Sequence, residues 1–154
     1  MTDHQPTLNP HDFPGKDIYA VVGNPIEHSK SPMIQAEFAR QNSDTDFYYG
    51  KIWAPLDGFK AVAQEFFARG GKGLNVTVPF KLEAFEMAVV RSEAAQIAQA
   101  ANVLYVHEGQ LHADNTDGYG LCSDLSRILQ GVGRGLLGAR VLILGAGGAA
   151  RGAG

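Results

Sequence analysis

Two serines beside a predicted helix are the first residues whose types and spacing suggest chemistry. In the segment from Gly23 to Pro32, Ser29 and Ser31 flank Lys30. We predict that Ser31 is the N-cap of a helix and that Pro32 is its first residue. The free backbone N–H groups and the positive end of the helix dipole would then favour a carboxylate or phosphate at the two hydroxyls. The simpler interpretation is that Ser31 only caps its helix.

A lysine follows a short segment that is typical of a strand. Between Asn75 and Lys81, Asn75 and Thr77 alternate with valines, and a proline ends the pattern. In a parallel sheet, ligands bind at the carboxyl ends of the strands. A lysine in a partly dry pocket at such a position can exchange protons with a ligand near neutral pH. The simpler interpretation makes Lys81 a solvated charge and Thr77 an ordinary strand residue.

A polar cluster from Asp114 to Gly118 contains two aspartates, one on each side of Asn115-Thr116. We place it at a domain boundary, where its carboxylates would face a cleft of the kind that ligands prefer. Asp117 and the upstream Asn102 are therefore candidate ligand-binding residues. The simpler interpretation is a turn in which Asn102 is a turn residue and Asp117 caps the next helix.

A glycine-rich loop near the end of the sequence follows an apolar run at Val141–Leu144. A strand, a tight turn and a helix start are what the pyrophosphate of a dinucleotide requires. The candidate cofactor-binding residues are Gly145, Ala146, Gly147, Gly148, Ala149 and Ala150. A bare glycine pattern also occurs in flexible tails, but the strand before it favours the cofactor site.

The elements that position these residues alternate between strands and helices. Apolar periodicity and turn residues predict strands at 18–22, 47–53, 74–78, 103–106, 111–113 and 140–144. They predict helices at 32–41, 55–68, 79–90, 93–100 and 119–129. This alternation indicates an α/β fold: an open, mainly parallel sheet flanked by helices, followed by the first strand and glycine loop of a Rossmann-like domain.

The same pattern divides the chain into four parts. Residues 1–16 read as a flexible leader and residues 17–117 as a ligand-binding domain. Residues 118–138, rich in glycine after a helical stripe, read as a connecting helix and hinge. Residues 139–154 read as the start of a truncated dinucleotide-binding domain.

Composition excludes several classes of protein. The 154 residues carry a formal charge of −3 with both signs dispersed, so we expect no binding to nucleic acid or to a membrane surface. One cysteine leaves too few thiolates for a disulfide or a structural zinc site. We therefore expect no bound metal. Because the sequence shows no targeting or transmembrane segment, we also expect a cytoplasmic protein. Apolar patches left without a partner would also allow a homodimer.

Four segments in series resemble the shikimate dehydrogenase family in order and spacing. They are residues 23–32, 75–81, 115–118 and 145–150, and the resemblance extends over nearly the whole chain from Ile18 onward. Each segment is common alone, whereas the series is highly specific. The resemblance implies a reversible NADPH-dependent reduction of 3-dehydroshikimate to shikimate, in the route to aromatic amino acids.

The resemblance also implies roles for the candidate residues. Ser29 and Ser31 match serines that bind the substrate carboxylate, and Thr77 matches a residue that contacts the ring substituents. Lys81 matches the catalytic lysine, with Asp117 as its partner. Asn102 and Asp117 match residues that bind the substrate hydroxyls, and the glycine loop matches the NADP site.

Some features depart from the family pattern. Gln35 stands where many members carry histidine, and Val103 follows Asn102 where threonine is usual, which affects substrate preference more than reaction type. Members are nearly twice as long, so we expect this chain to bind substrate but to turn it over poorly. The alternatives are a quinate/shikimate dehydrogenase, a non-catalytic module that binds a small acid, and an α/β domain whose motifs are all structural.

Overall fold

In a computed structural model, a six-stranded sheet forms the centre of the protein. The structure describes residues 7–153. The strands of the sheet are β1 (Asp17–Gly23), β2 (Phe47–Trp53), β3 (Gly73–Val76), β4 (Val90–Arg91), β5 (Val103–His107) and β6 (Gln110–Asp114). The strand order is β2-β1-β3-β5-β6-β4, and β5 alone runs antiparallel to its neighbours. The predicted mainly parallel α/β sheet is confirmed.

Within the described residues, four α-helices lie between the strands in sequence, and two more follow the last strand. They are α1 (Ser31–Gln41), α2 (Phe59–Ala68), α3 (Lys81–Met87), α4 (Glu93–Ala98), α5 (Asp117–Gly131) and α6 (Gly148–Ala153). Alternate residues of β1, starting at Ile18, point into a core that Phe59 of α2 and Phe80 close. The opposite face of β1, which carries Val21, meets α1 and belongs to the candidate site.

Several helix boundaries differ from the predictions. The predicted helix at 55–68 begins only at Phe59, because Gly58 N–H bonds to the Pro55 carbonyl in a turn that leaves Leu56 exposed. The predicted helix at 79–90 is shorter, since Val90 and Arg91 pair with the exposed edge of β6. At both places a backbone pairing or turn overrides the helical pattern of the side chains.

The strand predicted at 140–144 is not formed, and this prediction is wrong. Val141–Leu144 is irregular and exposed, and Leu142 and Leu144 are 85% and 88% accessible. A parallel strand gains its stability from neighbours on the sheet. In the described part of the chain no second strand lies beside this run, so the apolar pattern has no ladder to join.

Residues 8–13, which were predicted to belong to a flexible leader, contact the folded part of the chain. Leu8 and Phe13 pack against the core, and the Phe13 ring stacks on Tyr48 with centroids 4.0 Å apart. This segment therefore packs against a side chain of β2, the edge strand of the sheet. Residues 1–6 of the predicted leader lie outside the described residues.

Candidate active site

The candidate site is a cavity of about 290 Å³ at the carboxyl ends of β1 and β3. It is lined by Val21, Ser31, Ile34, Gln35, Asn75, Val76, Thr77, Lys81, Asn102 and Asp117. Five of the six residues predicted to bind or convert a substrate therefore share one cavity. Ser29 does not line the cavity, but its hydroxyl oxygen lies 3.2 Å from that of Ser31, which does. Residues 145–150 do not line the cavity. Larger hollows lie elsewhere on the surface, but none of them is lined by any of the six predicted substrate residues.

An ion pair forms the chemical centre of this cavity. Lys81 Nζ lies 2.6 Å from Asp117 Oδ2, and the two side chains are 31% and 33% exposed. Asn102 Nδ2 donates to the other carboxylate oxygen, Oδ1, at 2.9 Å. The lysine and the carboxylate are thus held in place while both remain accessible to a ligand.

The position of Asp117 depends on a buried neighbour. Asn115, which is 5% exposed, donates through Nδ2 to the Ala100 carbonyl at 2.9 Å and accepts from Asp117 N–H at 3.0 Å. Thr116 N–H bonds to Asn102 Oδ1 at 3.0 Å. These bonds join the start of α5 to the loop before β5, so they fix the carboxylate relative to Asn102. The sequence marked Asn115 only as part of a polar cluster.

The serine pair has a different local geometry from the prediction. Lys30 is the N-cap residue, and Ser31 is the first residue of α1 with no side-chain cap. Ser31 N–H donates to Ser29 Oγ at 3.3 Å, so the chain already turns at Lys30, which has helical dihedral angles. The two hydroxyl oxygens are 3.2 Å apart. The N-cap prediction is wrong by one residue, and the hydroxyls are left close enough to contact one carboxylate together.

Thr77 reaches the cavity because Gly23 has no side chain. Thr77 N–H bonds to the Val22 carbonyl at 3.0 Å, just past the end of β3. A Cβ added to Gly23 would lie 2.5 Å from Thr77 Cγ2 and 3.3 Å from the Val78 carbonyl oxygen. Any larger residue at this position would therefore displace Thr77.

Two polar residues of this region were missed as site residues. Tyr49 on β2 donates its hydroxyl to Asn75 Oδ1 at 2.6 Å, and Asn75 lines the cavity. The alternation of β3 pointed to Asn75, but nothing in the sequence placed β2 close enough for Tyr49. Burial raises the pKa of Tyr49 well above its ordinary value, and a hydrogen bond from Ser31 acts in the opposite direction.

We expect this half-buried tyrosine to make the protein less stable in alkali. A group whose pKa is raised by folding contributes stability below its unfolded value, here 10.0, and loses it as pH rises beyond that value. The free energy of unfolding should fall by up to about 1.4 kcal/mol per pH unit for this group. Urea unfolding between about pH 9 and pH 11.5 should show a shallower fall in Tyr49→Phe.

The control for this prediction is Tyr119→Phe, because Tyr119 is 79% exposed. That variant should retain the wild-type pH dependence. An unchanged slope in Tyr49→Phe would show that Tyr49 ionises as readily in the folded chain as in the unfolded chain.

The glycine loop lies against α4 rather than in the cavity. Arg151 Nε donates to the Ala98 carbonyl at 2.9 Å, and its Nη1 donates to the Ala146 carbonyl at 3.0 Å. Gly145 has φ +120, a backbone conformation that side chains disfavour. Open space surrounds Gly145 and Gly147 where a Cβ would stand. Binding of a dinucleotide pyrophosphate by this loop stays a prediction, because the strand expected directly before it is not formed.

Within residues 7–153, no group of three or more His, Cys, Asp or Glu residues could hold a metal ion. Among the same residues, none of the helices has both the length and the apolar character needed to cross a membrane.

Comparison with known sequences identifies the first part of the chain. The family profile described as "Shikimate dehydrogenase substrate binding domain" matches residues 21–104. A relative from Acidovorax ebreus, named shikimate dehydrogenase (NADP(+)), is 54% identical over 136 residues, which are 88% of this chain and 47% of the relative. The chain thus spans about half the length of the curated relatives it matches.

Solved structures show the same similarity. An Ael1 enzyme from Pseudomonas putida is 51% identical with a TM-score of 0.79, and the match covers 90% of this chain and 49% of that one. A shikimate 5-dehydrogenase from Listeria monocytogenes, in complex with shikimate and NAD, is 30% identical with a TM-score of 0.75 over 89% and 46% of the two chains. From the match over residues 21–104 and these structural neighbours, the chain belongs to the shikimate dehydrogenase substrate binding domain family.

Proposed function

We propose that this chain supplies the substrate-binding part of an NADP-dependent shikimate dehydrogenase, which interconverts 3-dehydroshikimate and shikimate. The observation that carries the proposal is the pair Lys81–Asp117, held at 2.6 Å in a cavity that also presents the hydroxyl of Ser31. This set combines a cation beside a carboxylate with neutral donors for an acid that bears hydroxyl groups. The names of the curated relatives support the same activity and cofactor.

The proposed mechanism assigns proton transfer to Lys81. Reduction of a ketone places negative charge on its oxygen, and a nearby ammonium stabilises that charge and donates the proton. Asp117 holds the ammonium in position and accepts a hydrogen bond from a neighbouring substrate hydroxyl, which Asn102 also contacts. In the reverse direction, Lys81 accepts the proton as the alcohol is oxidised.

The remaining residues bind and orient the substrate. Ser29 and Ser31 bind its carboxylate, and Thr77 contacts a ring substituent. Fixing the ring at both ends holds the reacting carbon in one orientation, which removes much of the entropic cost of the reaction. When bound, NADP supplies the hydride chemistry, and the backbone of residues 145–150 would hold its pyrophosphate.

The proposal extends to organisation and location. Residues 17–117 form the substrate-binding part, residues 118–138 connect it to the dinucleotide-binding part, and residues 139–154 begin the latter. We infer a cytoplasmic protein without nucleic-acid partners, in keeping with the single cysteine and the charge of −3. The exposed apolar residues Met33, Ile34 and Phe38 on α1 would support association into a homodimer.

Binding of shikimate to this chain tests the proposed function. Calorimetric titration should give saturable binding, with weaker binding of quinate. Asp117→Ala should weaken the affinity for shikimate about tenfold or more, because a hydrogen-bonded charged partner is lost. Asp124→Ala is the matched control, since Asp124 lies on the same helix but pairs with Arg127 on the surface.

Three results would count against the proposal. A chain that is folded by circular dichroism yet does not bind shikimate contradicts it. Tighter binding of quinate would favour a quinate/shikimate dehydrogenase instead. Equal affinity in the wild type, Asp117→Ala and Asp124→Ala would show that binding occurs elsewhere.

A further inference from the structure

Gln35 occupies a place in the cavity that none of the assigned roles uses. It lies four residues after Ser31 on α1, and both residues line the cavity together with Lys81. Residues at this spacing are neighbours on one face of a helix. The amide of Gln35 is therefore part of the same wall as the Ser31 hydroxyl.

The amide of Gln35 is also without a protein partner. In residues 7–153 its side chain makes no hydrogen bond, although the side chain is only partly exposed. The other two amides that line the cavity are engaged: Asn75 accepts from Tyr49, and Asn102 donates to Asp117. An amide that lines a cavity and has no protein partner is available to bond a ligand in that cavity.

The location of Gln35 indicates which end of the ligand it meets. Under the proposed function, Ser31 binds the substrate carboxylate and the ion pair of Lys81 and Asp117 contacts the reacting oxygen, and Gln35 lies about one helical turn from Ser31 on α1. We propose that Gln35 Nε2 donates a hydrogen bond to the substrate carboxylate and thereby selects for an acid. This inference rests on the proposed function and adds a specificity-determining residue to it.

Calorimetric titration of this chain with shikimate and with its methyl ester tests the assignment. Gln35→Leu, which keeps the size of the side chain, should weaken shikimate binding about tenfold or more, because a hydrogen bond to a charged group is lost. Binding of the neutral ester should weaken less. Gln35→Glu, which is isosteric and places a negative charge against the carboxylate, should lower the affinity further and guards against misfolding of the leucine variant.

The matched control is Gln41→Leu. Gln41 lies on the same helix, but its amide bonds to Glu37 outside the cavity, so this variant should bind shikimate like the wild type. If the wild type binds shikimate and folded Gln35→Leu binds it equally well, the inference about Gln35 is overturned while the proposed function stands. If the folded wild type binds no shikimate, the proposed function is overturned and the inference with it.

Discussion

Lys81→Met is expected to lower turnover by about a hundredfold to ten-thousandfold, the range usual for loss of a general acid or base. Methionine keeps the apolar stem of lysine and removes only the ammonium that contacts Asp117. Since negative charge on the substrate oxygen develops mainly in the transition state, kcat should fall while the affinity for shikimate changes little. That split separates a catalytic role for Lys81 from a role in binding alone.

The measurement requires a complete dinucleotide-binding domain. A chimera that joins this chain to the C-terminal half of the Acidovorax ebreus relative would supply one, because the two sequences are 54% identical over the shared region. NADP-linked oxidation of shikimate is then followed as a function of substrate concentration. Calorimetry on the same variant gives the affinity for shikimate independently of turnover.

Lys60→Met is the control for this experiment. Lys60 is an exposed lysine on α2 whose ammonium lies 3.6 Å from Glu86, outside the cavity. It should leave both kcat and affinity unchanged. Wild-type turnover in the Lys81→Met chimera would remove Lys81 from the mechanism, and a loss of affinity equal to the loss of kcat would make it a binding residue only.

The sequence predicted the fold best where a short pattern has a strong local cause. The β-rich run that became β2 was predicted with the observed bounds, Phe47–Trp53. The strands predicted at 103–106 and 111–113 became β5 and β6, and Glu108 and Gly109 between them both have positive φ, as is usual in a tight hairpin turn. Where pairing decided the outcome, as at Val90–Arg91, the helical pattern of the side chains gave the wrong element.

The candidate site was predicted in part for a similar reason. Thr77 and Lys81 are close in sequence, and the end of a parallel strand is a known place for ligands. Tyr49 could not be found in this way, because its bond to Asn75 depends on the strand order β2-β1-β3. The buried role of Asn115 likewise depends on the Ala100 carbonyl, which the fold brings to it from another loop.

The second large effect concerns Phe80, which joins the core to the site. Phe80 is fully buried, and its ring stacks on Phe59 with centroids 4.9 Å apart, directly before Lys81 in sequence. Phe80→Ala would leave a cavity under the start of α3 and should cost about 3–5 kcal/mol of the free energy of unfolding. Such a loss is a large part of the total stability of a domain, typically about 5–15 kcal/mol.

Urea unfolding measures this effect, and Leu82→Ala is its control. Leu82 also lies on α3 but is 53% exposed, so its replacement should change stability by no more than about 0.5 kcal/mol. Because Lys81 lies between these two residues, Phe80→Ala should also lower kcat in the chimera at temperatures where the variant remains folded, whereas Leu82→Ala should not. Equal urea midpoints for the two variants would mean that Phe80 contributes no more than Leu82 to the stability of the fold. A loss of stability with unchanged kcat would mean instead that α3 holds Lys81 in place without support from the core.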